Sequence, residues 1–238
     1  MEHYEIDTID KTGVKVKSMV QINNENEELP LECSKCLKQA CWSNSPLTGP
    51  DFCPTKTRKV PINAVLQQYK EDPETRKMAI AAARTEGRSY MKWTRVEDTI
   101  DFAREMGYKK LGIATCVGLI AESRILTKIL ETKGFEVASI CCKSGAIPKE
   151  EIGLLDSEKA IPGTFEPICN PVAQARLLDA EGCELNILVG LCVGHDSLFI
   201  KHSKAPVTVL ISKDRMTCHN PAAALYGTSF YYRRLLQP

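Results

Sequence analysis

Four short apolar runs, separated by segments with a helical pattern, occupy the second half of the chain. The runs are LGIATC, FEVASICC, ELNILVGLC and PVTVLIS. Short runs rich in Val, Ile and Leu are typical of strands buried on both faces, and their alternation with helices indicates a parallel sheet. The sequence therefore predicts a Rossmann-like α/β domain over residues 110–238, with about four strands in the order 2-1-3-4 and helices on both faces of the sheet.

Three other segments precede this domain. Residues 61–109 hold the Ala-rich stretch KMAIAAAR and a 3.6-residue apolar pattern that ends at Gly107, so we expect a helical segment. Residues 31–60 combine four cysteines with Pro, Gly, Ser and Asn, and this composition predicts a metal knuckle whose shape depends on a bound ion. Residues 1–30 form an N-terminal extension, in which alternating apolar residues predict an edge strand or a hairpin.

Eleven cysteines in 238 residues are the strongest signal in the composition. A chain of this length can bury a core without disulfides. It opens with the acidic, polar segment MEHYEIDTID rather than a leader, and it has no apolar run of the roughly 18 residues that a membrane span requires. We therefore expect a soluble cytoplasmic protein, in which clustered cysteines bind metal or take part in catalysis. The net charge of +1 makes nucleic acid and membrane unlikely partners, and it says nothing about the oligomeric state.

The first group of cysteines has the spacing C-x2-C-x4-C-x11-C. Four thiolates at short spacing suit a closed tetrahedral zinc site of the structural kind, and they also suit an iron–sulfur cluster. Analogy with other four-cysteine knuckles favours zinc. The predicted metal ligands are Cys33, Cys36, Cys41 and Cys53.

A second group of cysteines stands at the ends of the predicted strands and before one predicted helix. The carboxyl ends of parallel strands meet at one edge of the sheet, where α/β proteins bind their ligands. Because side chains alternate along a strand, only one member of the adjacent pair CC can face this edge easily. We expect one shared metal or cluster site, whose candidate ligands are Cys116, Cys141, Cys142, Cys169 and Cys192.

The loops after these cysteines supply further candidates. Glycine lets the backbone approach a bound group, and the N-terminus of a helix stabilises an anion or a thiolate. The cofactor-binding candidates of this kind are Gly118, Gly194, Asn170 of CNP and His219 of HNP. His195 is a candidate acid, base or ligand, with the alternative that Asp196 caps the next helix and His195 only hydrogen-bonds the loop. Lys143 is a candidate for neutralising an anionic substrate or cluster, with a solvated lysine as the alternative.

Several motifs together resemble one family. They are CSKCLKQACW with FCPT, IATCVGLIAES, CCKSGAIPKEEI, CNPVAQARLLD, LNILVGLCVGHDSLFIKHSKAPVTVLISKDR and HNPAAALY. The family is the uncharacterised domain of unknown function 1847 of anaerobic bacteria and archaea, which is generally described as metal-binding. The resemblance runs from about Cys33 to Leu225, and it implies metal binding without implying a mechanism.

The choice of metal at the sheet edge separates several functions. An iron–sulfur cluster, of the 4Fe-4S type, is favoured because its ligands come from distant segments of a rigid fold. With three thiolates it leaves an iron open for a small molecule, as in an oxidoreductase or a sulfur-transfer or desulfidase enzyme. With four thiolates it indicates an electron carrier or redox sensor that acts with a partner protein. Zinc at this edge would instead indicate a hydrolase, or a structural or regulatory protein without redox chemistry.

Overall fold

The computed structural model describes residues 2–9, 15–22, 29–43, 45 and 48–238. The chain divides into two compact units, Met1–Arg84 and Thr85–Pro238. We predicted a separate helical segment at 61–109, and the boundary between the units falls inside that segment.

The first unit begins with two antiparallel strands that pair Glu2 with Ile22 and Ile9 with Lys15. The alternation of apolar residues predicted an edge strand or a hairpin for this segment, and the antiparallel pair corresponds to the hairpin. Short 3-10 turns at Cys33–Lys35 and Ala40–Trp42 follow, and three helices come next. The elements are β1 (Glu2–Ile9), β2 (Lys15–Ile22), α1 (Pro54–Thr57), α2 (Lys59–Glu71) and α3 (Pro73–Ser89), which crosses the boundary between the units.

The second unit contains a parallel sheet of four strands. Their order across the sheet is β4-β3-β5-β6, which confirms the predicted order 2-1-3-4. The register pairs Thr115 at the end of β3 with Cys141 on one side and with Val189 on the other. The strands are β3 (Lys110–Thr115), β4 (Glu136–Cys141), β5 (Leu185–Val189) and β6 (Val207–Ile211).

Helices surround this sheet. The first begins at Thr94, where a capping box with Glu97 satisfies its N-terminal N–H groups, and it ends at Gly107 in the left-handed conformation, as predicted. Ile100 and Ala103 of this helix pack with Ile113 of β3 in one buried cluster. The helices are α4 (Arg95–Met106), α5 (Ile120–Thr132), α6 (Pro171–Ala180), α7 (His195–His202) and α8 (Ala222–Tyr226).

The other buried cluster packs side chains of β3 and β5 against α6 and α7. Its members include Ala114 and Leu188 from the strands, with Leu178 and Phe199 from the helices. Since successive side chains of a strand point to opposite faces, the strands bury residues of both faces. Among the described residues, no helix has the length and apolarity that crossing a lipid bilayer demands.

Candidate functional site

Three cysteine side chains, those of Cys116, Cys142 and Cys169, contact one another at the carboxyl edge of the sheet, and the fourth, Cys192, is bonded to an arginine beside them. Cys116 follows β3 directly, and Cys142 follows β4. Cys192 lies in the turn between β5 and α7, and Cys169 lies just before α6. Cys116 and Cys142 are buried, whereas the other two are partly exposed.

Cys142 is the centre of this group. Its thiol is hydrogen-bonded to the thiols of Cys116 and Cys169, and it accepts a hydrogen bond from the backbone N–H of Val117 at 3.3 Å. The bond from Cys142 lowers the pKa of Cys116 to about 5 and that of Cys169 to about 5. The same two bonds raise the pKa of Cys142. Cys142 therefore ionises less readily than Cys116 and Cys169.

Two cations reach this group from the loop after β6. Lys213 donates a hydrogen bond to Cys116 and lowers the pKa of that thiol further. Nη2 of Arg215 donates to Sγ of Cys192 at 3.5 Å. The pKa of Arg215 is raised, first by this bond and also by the charges of Cys116 and Cys169. The positive charges of Lys213 and Arg215 therefore stabilise negative charge on the thiols of the site.

Lys143 and His195 lie on the side of Cys169. Both lower the pKa of this thiol, after the larger effect of its bond with Cys142. Nζ of Lys143 also donates to the carbonyl of Pro167 at 2.6 Å, which holds the lysine beside the site. Lys143 is therefore fixed by the loop rather than free in solvent.

The ends of β3 and β4 are held together by Gln174, a fully buried residue of α6. Its Nε2 donates to the carbonyls of Thr115 at 3.1 Å and Ile140 at 2.8 Å. These residues stand one and two positions before Cys116 and Cys142. Gln174 therefore fixes the spacing between the two buried thiols.

Asn170 is the N-cap of α6, as predicted, with Pro171 in the first turn. Its Oδ1 accepts a hydrogen bond from the N–H of Ala173 at 3.0 Å. Its own N–H donates to the carbonyl of Cys142 at 2.7 Å. The N-terminus of this helix, and Cys169 with it, is thereby anchored to the end of β4.

The structure separates the adjacent pair Cys141 and Cys142. Cys141 pairs with Thr115 in the sheet and lines a groove with Thr115 and Ser123. Cys142 joins the thiol group instead. The alternation along the strand left open which cysteine faces the site, and the structure selects Cys142.

The two predicted glycines have different roles. The N–H of Gly118 donates to the thiol of Cys116, and a Cβ at this position would lie 3.2 Å from Nζ of Lys213. A side chain here would crowd the lysine against the thiol. Gly194, with φ of 83°, is the N-cap of α7 and has no atom near its Cβ position, so its role is conformational.

His195 is the first residue of α7. Its Nδ1 is buried and has no hydrogen-bond partner in the described part of the chain. Asp196 does not cap the helix, because its Oδ1 accepts from the N–H of Ser197 and α7 has no side-chain cap. The alternative in which Asp196 caps α7 is therefore wrong, and Nδ1 of His195 is left without a partner in the described residues.

His219 closes the turn after β6. Its N–H donates to the carbonyl of Asp214 at 2.7 Å, and its Nδ1 accepts from the N–H of Asp214 at 3.1 Å. We expected HNP to start a helix in the same way as CNP; a helix does begin there, but Asn220 does not cap it. The N-cap of α8 is Pro221, and no side chain caps this helix of five residues. His219 shapes the loop that carries Lys213 and Arg215.

In the predicted knuckle, Cys33 and Cys41 are exposed and Cys53 is buried. The N–H of Gln39 donates to Sγ of Cys36 at 3.4 Å, and the N–H of Cys36 donates to the carbonyl of Cys33 at 3.0 Å. Hydrogen bonds from Thr55 lower the pKa of Cys53. Its role as a metal site stays a prediction.

Within the described ranges, no three Cys, His, Asp or Glu side chains are gathered tightly enough to enclose a single metal ion. The sheet-edge group nevertheless offers four soft thiol donors surrounded by cations, and iron–sulfur clusters are held by such thiolates. The donor set therefore fits an anionic cluster in chemistry and charge.

Sequence reasoning missed three residues of this site, Lys213, Arg215 and Gln174. A signal existed for the first two, because the charged segment SKDR follows the fourth strand directly and so reaches the same edge of the sheet. No signal marked Gln174, which resembles any polar residue on a helix until its burial is known.

Comparison with known proteins identifies relatives of this chain. An uncharacterized protein of Methanocaldococcus jannaschii is 44% identical over 207 residues, which cover 87% of this chain and 99% of the relative. A family described as protein of unknown function (DUF1847) matches residues 53–210. This range contains the four sheet-edge cysteines and is narrower than the motif resemblance from Cys33 to Leu225. The chain therefore belongs to the DUF1847 family.

Proposed function

We propose that the sheet-edge site holds an iron–sulfur cluster and that the protein performs redox or sulfur chemistry on a small molecule. The observation that carries the proposal is the thiol group centred on Cys142. Thiolates repel one another when they are gathered in a partly buried site, so such a group needs compensating charge or a bound cation. The cations that line the site, with four thiols from separate segments, suit a large thiolate-bound anion. The proposed ligands are Cys116, Cys142, Cys169 and Cys192.

A bound cluster would supply electron transfer and, if one thiol is not a ligand, an iron position open to a small sulfur or oxygen ligand. The protein's own groups have separate roles. Lys213 and Arg215 balance the negative charge, and Lys143 attracts an anionic substrate. His195 gives or takes a proton through its buried Nδ1.

The first test replaces each cysteine of the adjacent pair. Protein purified anaerobically and reconstituted with iron and sulfide should contain iron and absorb visible light. Cys142→Ser should lose most of both, because this thiol contacts two other proposed ligands. Cys141→Ser is the matched control and should keep them, because this side chain lines the groove instead. Metal analysis and electron paramagnetic resonance measure the outcome.

Two results would contradict the cluster. Reconstituted protein that contains zinc alone would indicate a zinc protein. Equal losses of iron in Cys142→Ser and Cys141→Ser would indicate that both substitutions act by disturbing the fold. Circular dichroism of each variant separates the second case from a true ligand effect.

The open iron position is tested on the same anaerobic protein. Titration with sulfide should change the visible spectrum, and His195→Ala should weaken this response without loss of iron. The unchanged iron content distinguishes a proton-transfer role from a structural one. Iron-loaded protein that has four cysteine ligands and no spectral response would instead be an electron carrier with a partner protein.

A further inference from the structure

A groove of about 610 Å³ lies between α5 and β4. Its volume is within the range of small-molecule sites, about 300–1,000 Å³. It is separate from the thiol group, although Thr115 and Cys141 in its wall directly precede Cys116 and Cys142. The two sites thus lie on opposite sides of the same strand ends.

The groove exists because β4 is an edge strand. It pairs with β3 alone, and Ser139 on its groove side is exposed. On the opposite wall, α5 presents a stripe at helical spacing, since residues three and four positions apart share one face. The stripe consists of Ile120, Ser123, Arg124, Thr127, Lys128 and Glu131.

The charge of the groove is positive near the carboxyl edge of the sheet. Arg124 and Lys128 have no ion-pair or hydrogen-bond partner for their side chains anywhere in the described ranges. Glu131, the one carboxylate in the stripe, is three residues from Lys128 and lies about 10 Å along the helix axis from Arg124 at 1.5 Å per residue, and within the described ranges it forms no ion pair with either cation. With two cations and one carboxylate, the stripe carries a net positive charge, which attracts an anion.

Hydroxyl groups complete the lining. Ser123 donates to Oγ1 of Thr115 at 2.5 Å, so these two buried hydroxyls are occupied with each other. Thr127 and Ser139 lie on opposite walls of the groove, and both can donate to a ligand. Cations flanked by hydroxyls are a common arrangement for carboxylate and phosphate oxygens.

We propose that the α5–β4 groove binds a small organic oxyanion, a carboxylate or a phosphate ester, through Arg124 and Lys128. Thr127 and Ser139 orient the anion. The site does not depend on the cluster, because none of these residues belongs to the thiol group. A ligand bound here would contact Thr115 and Cys141, and so would lie beside the ends of the strands that carry Cys116 and Cys142.

The thiol of Cys141 provides the test, since it lines the groove. Iodoacetate carries a carboxylate and iodoacetamide does not, so the ratio of their alkylation rates at Cys141 reports the attraction of anions. Arg124→Gln and Lys128→Gln should each lower this ratio about two- to threefold, as expected for one charge at several ångströms in a solvated site. Lys201→Gln, an exposed lysine of α7 outside the groove, should leave it unchanged. Tandem mass spectrometry resolves Cys141 from Cys142.

Calorimetry with inorganic pyrophosphate gives an independent measurement. The intact protein should bind at one saturable site, and the double variant Arg124→Gln/Lys128→Gln should lose at least fivefold in affinity. Absence of binding at millimolar pyrophosphate would overturn the proposal, and so would undiminished binding by the double variant. Neither result tests the proposed cluster, because the proteins compared in each measurement have the same iron content.

Discussion

At the scale of single residues, Gly112 of β3 leaves room for a buried side chain of β5 and one of α6. A Cβ at this position would lie 2.1 Å from Oδ1 of the buried Asn186 and 3.0 Å from Cδ1 of Leu178. Gly112→Ala should therefore lower the free energy of unfolding by about 1–3 kcal/mol, because the buried side chains must move. Chemical denaturation measures this change.

A double-mutant cycle identifies the cause. Asn186→Ala removes the clashing oxygen, so Gly112→Ala should cost at least about 1 kcal/mol less in that background. The matched control is Gly87→Ala in α3, where a Cβ meets no atom within 4 Å. This change should be neutral or stabilise by up to about 1 kcal/mol, since alanine favours a helix. Equal costs with and without Asn186 would contradict the packing argument.

At the scale of elements, the capping box of α4 makes the stability of this helix depend on pH. The backbone N–H of Thr94 donates to Oε2 of Glu97 at 2.7 Å and is the main cause of the lowered pKa of this carboxyl. A carboxyl with a lowered folded pKa stabilises the fold above its unfolded pKa, about 4.3, and this contribution is lost as the pH falls through the folded pKa.

The stability difference between the natural protein and Glu97→Gln should therefore be largest near neutral pH and should shrink as the pH falls below about 4. Denaturation series from about pH 7 to about pH 3 measure it. Glu86→Gln in α3 is the control, because this exposed carboxylate has no partner among the described residues and should show no such trend. A difference that is constant across the series would exclude the capping carboxylate as its source.

At the scale of the whole molecule, the two predicted metal sites lie in different compact units, so the loss of metal from one can be tested separately from the other. We expect Cys36→Ser to release about one equivalent of metal and to expose residues 31–60 to protease, because a knuckle of this composition depends on its ion. The sheet unit should stay folded and keep the iron of the proposed cluster. Cys218→Ser, an exposed cysteine of the second unit, is the control. Unchanged metal content in Cys36→Ser would refute the knuckle site.

Local patterns in the sequence determined most of the fold. The period of the apolar residues indicated strands and helices, and Asn170 and Gly107 marked the start of α6 and the end of α4. The alternation of strands and helices predicted a parallel sheet, and the order 2-1-3-4 was expected because it is common in such sheets. It also predicted that the strand-end cysteines would share one edge of the sheet, because parallel strands end on the same side.

Only the tertiary structure decided how the site is completed. Lys213 and Arg215 return to thiols that lie far away in sequence, and Gln174 bridges two strand ends from a helix. Cys141 faces the side of the sheet opposite to Cys142. On that side α5 leaves part of β4 uncovered, which forms the groove that Cys141 lines. These features arise from side-chain direction and from contacts between distant segments, and no local periodicity in the chain encodes them.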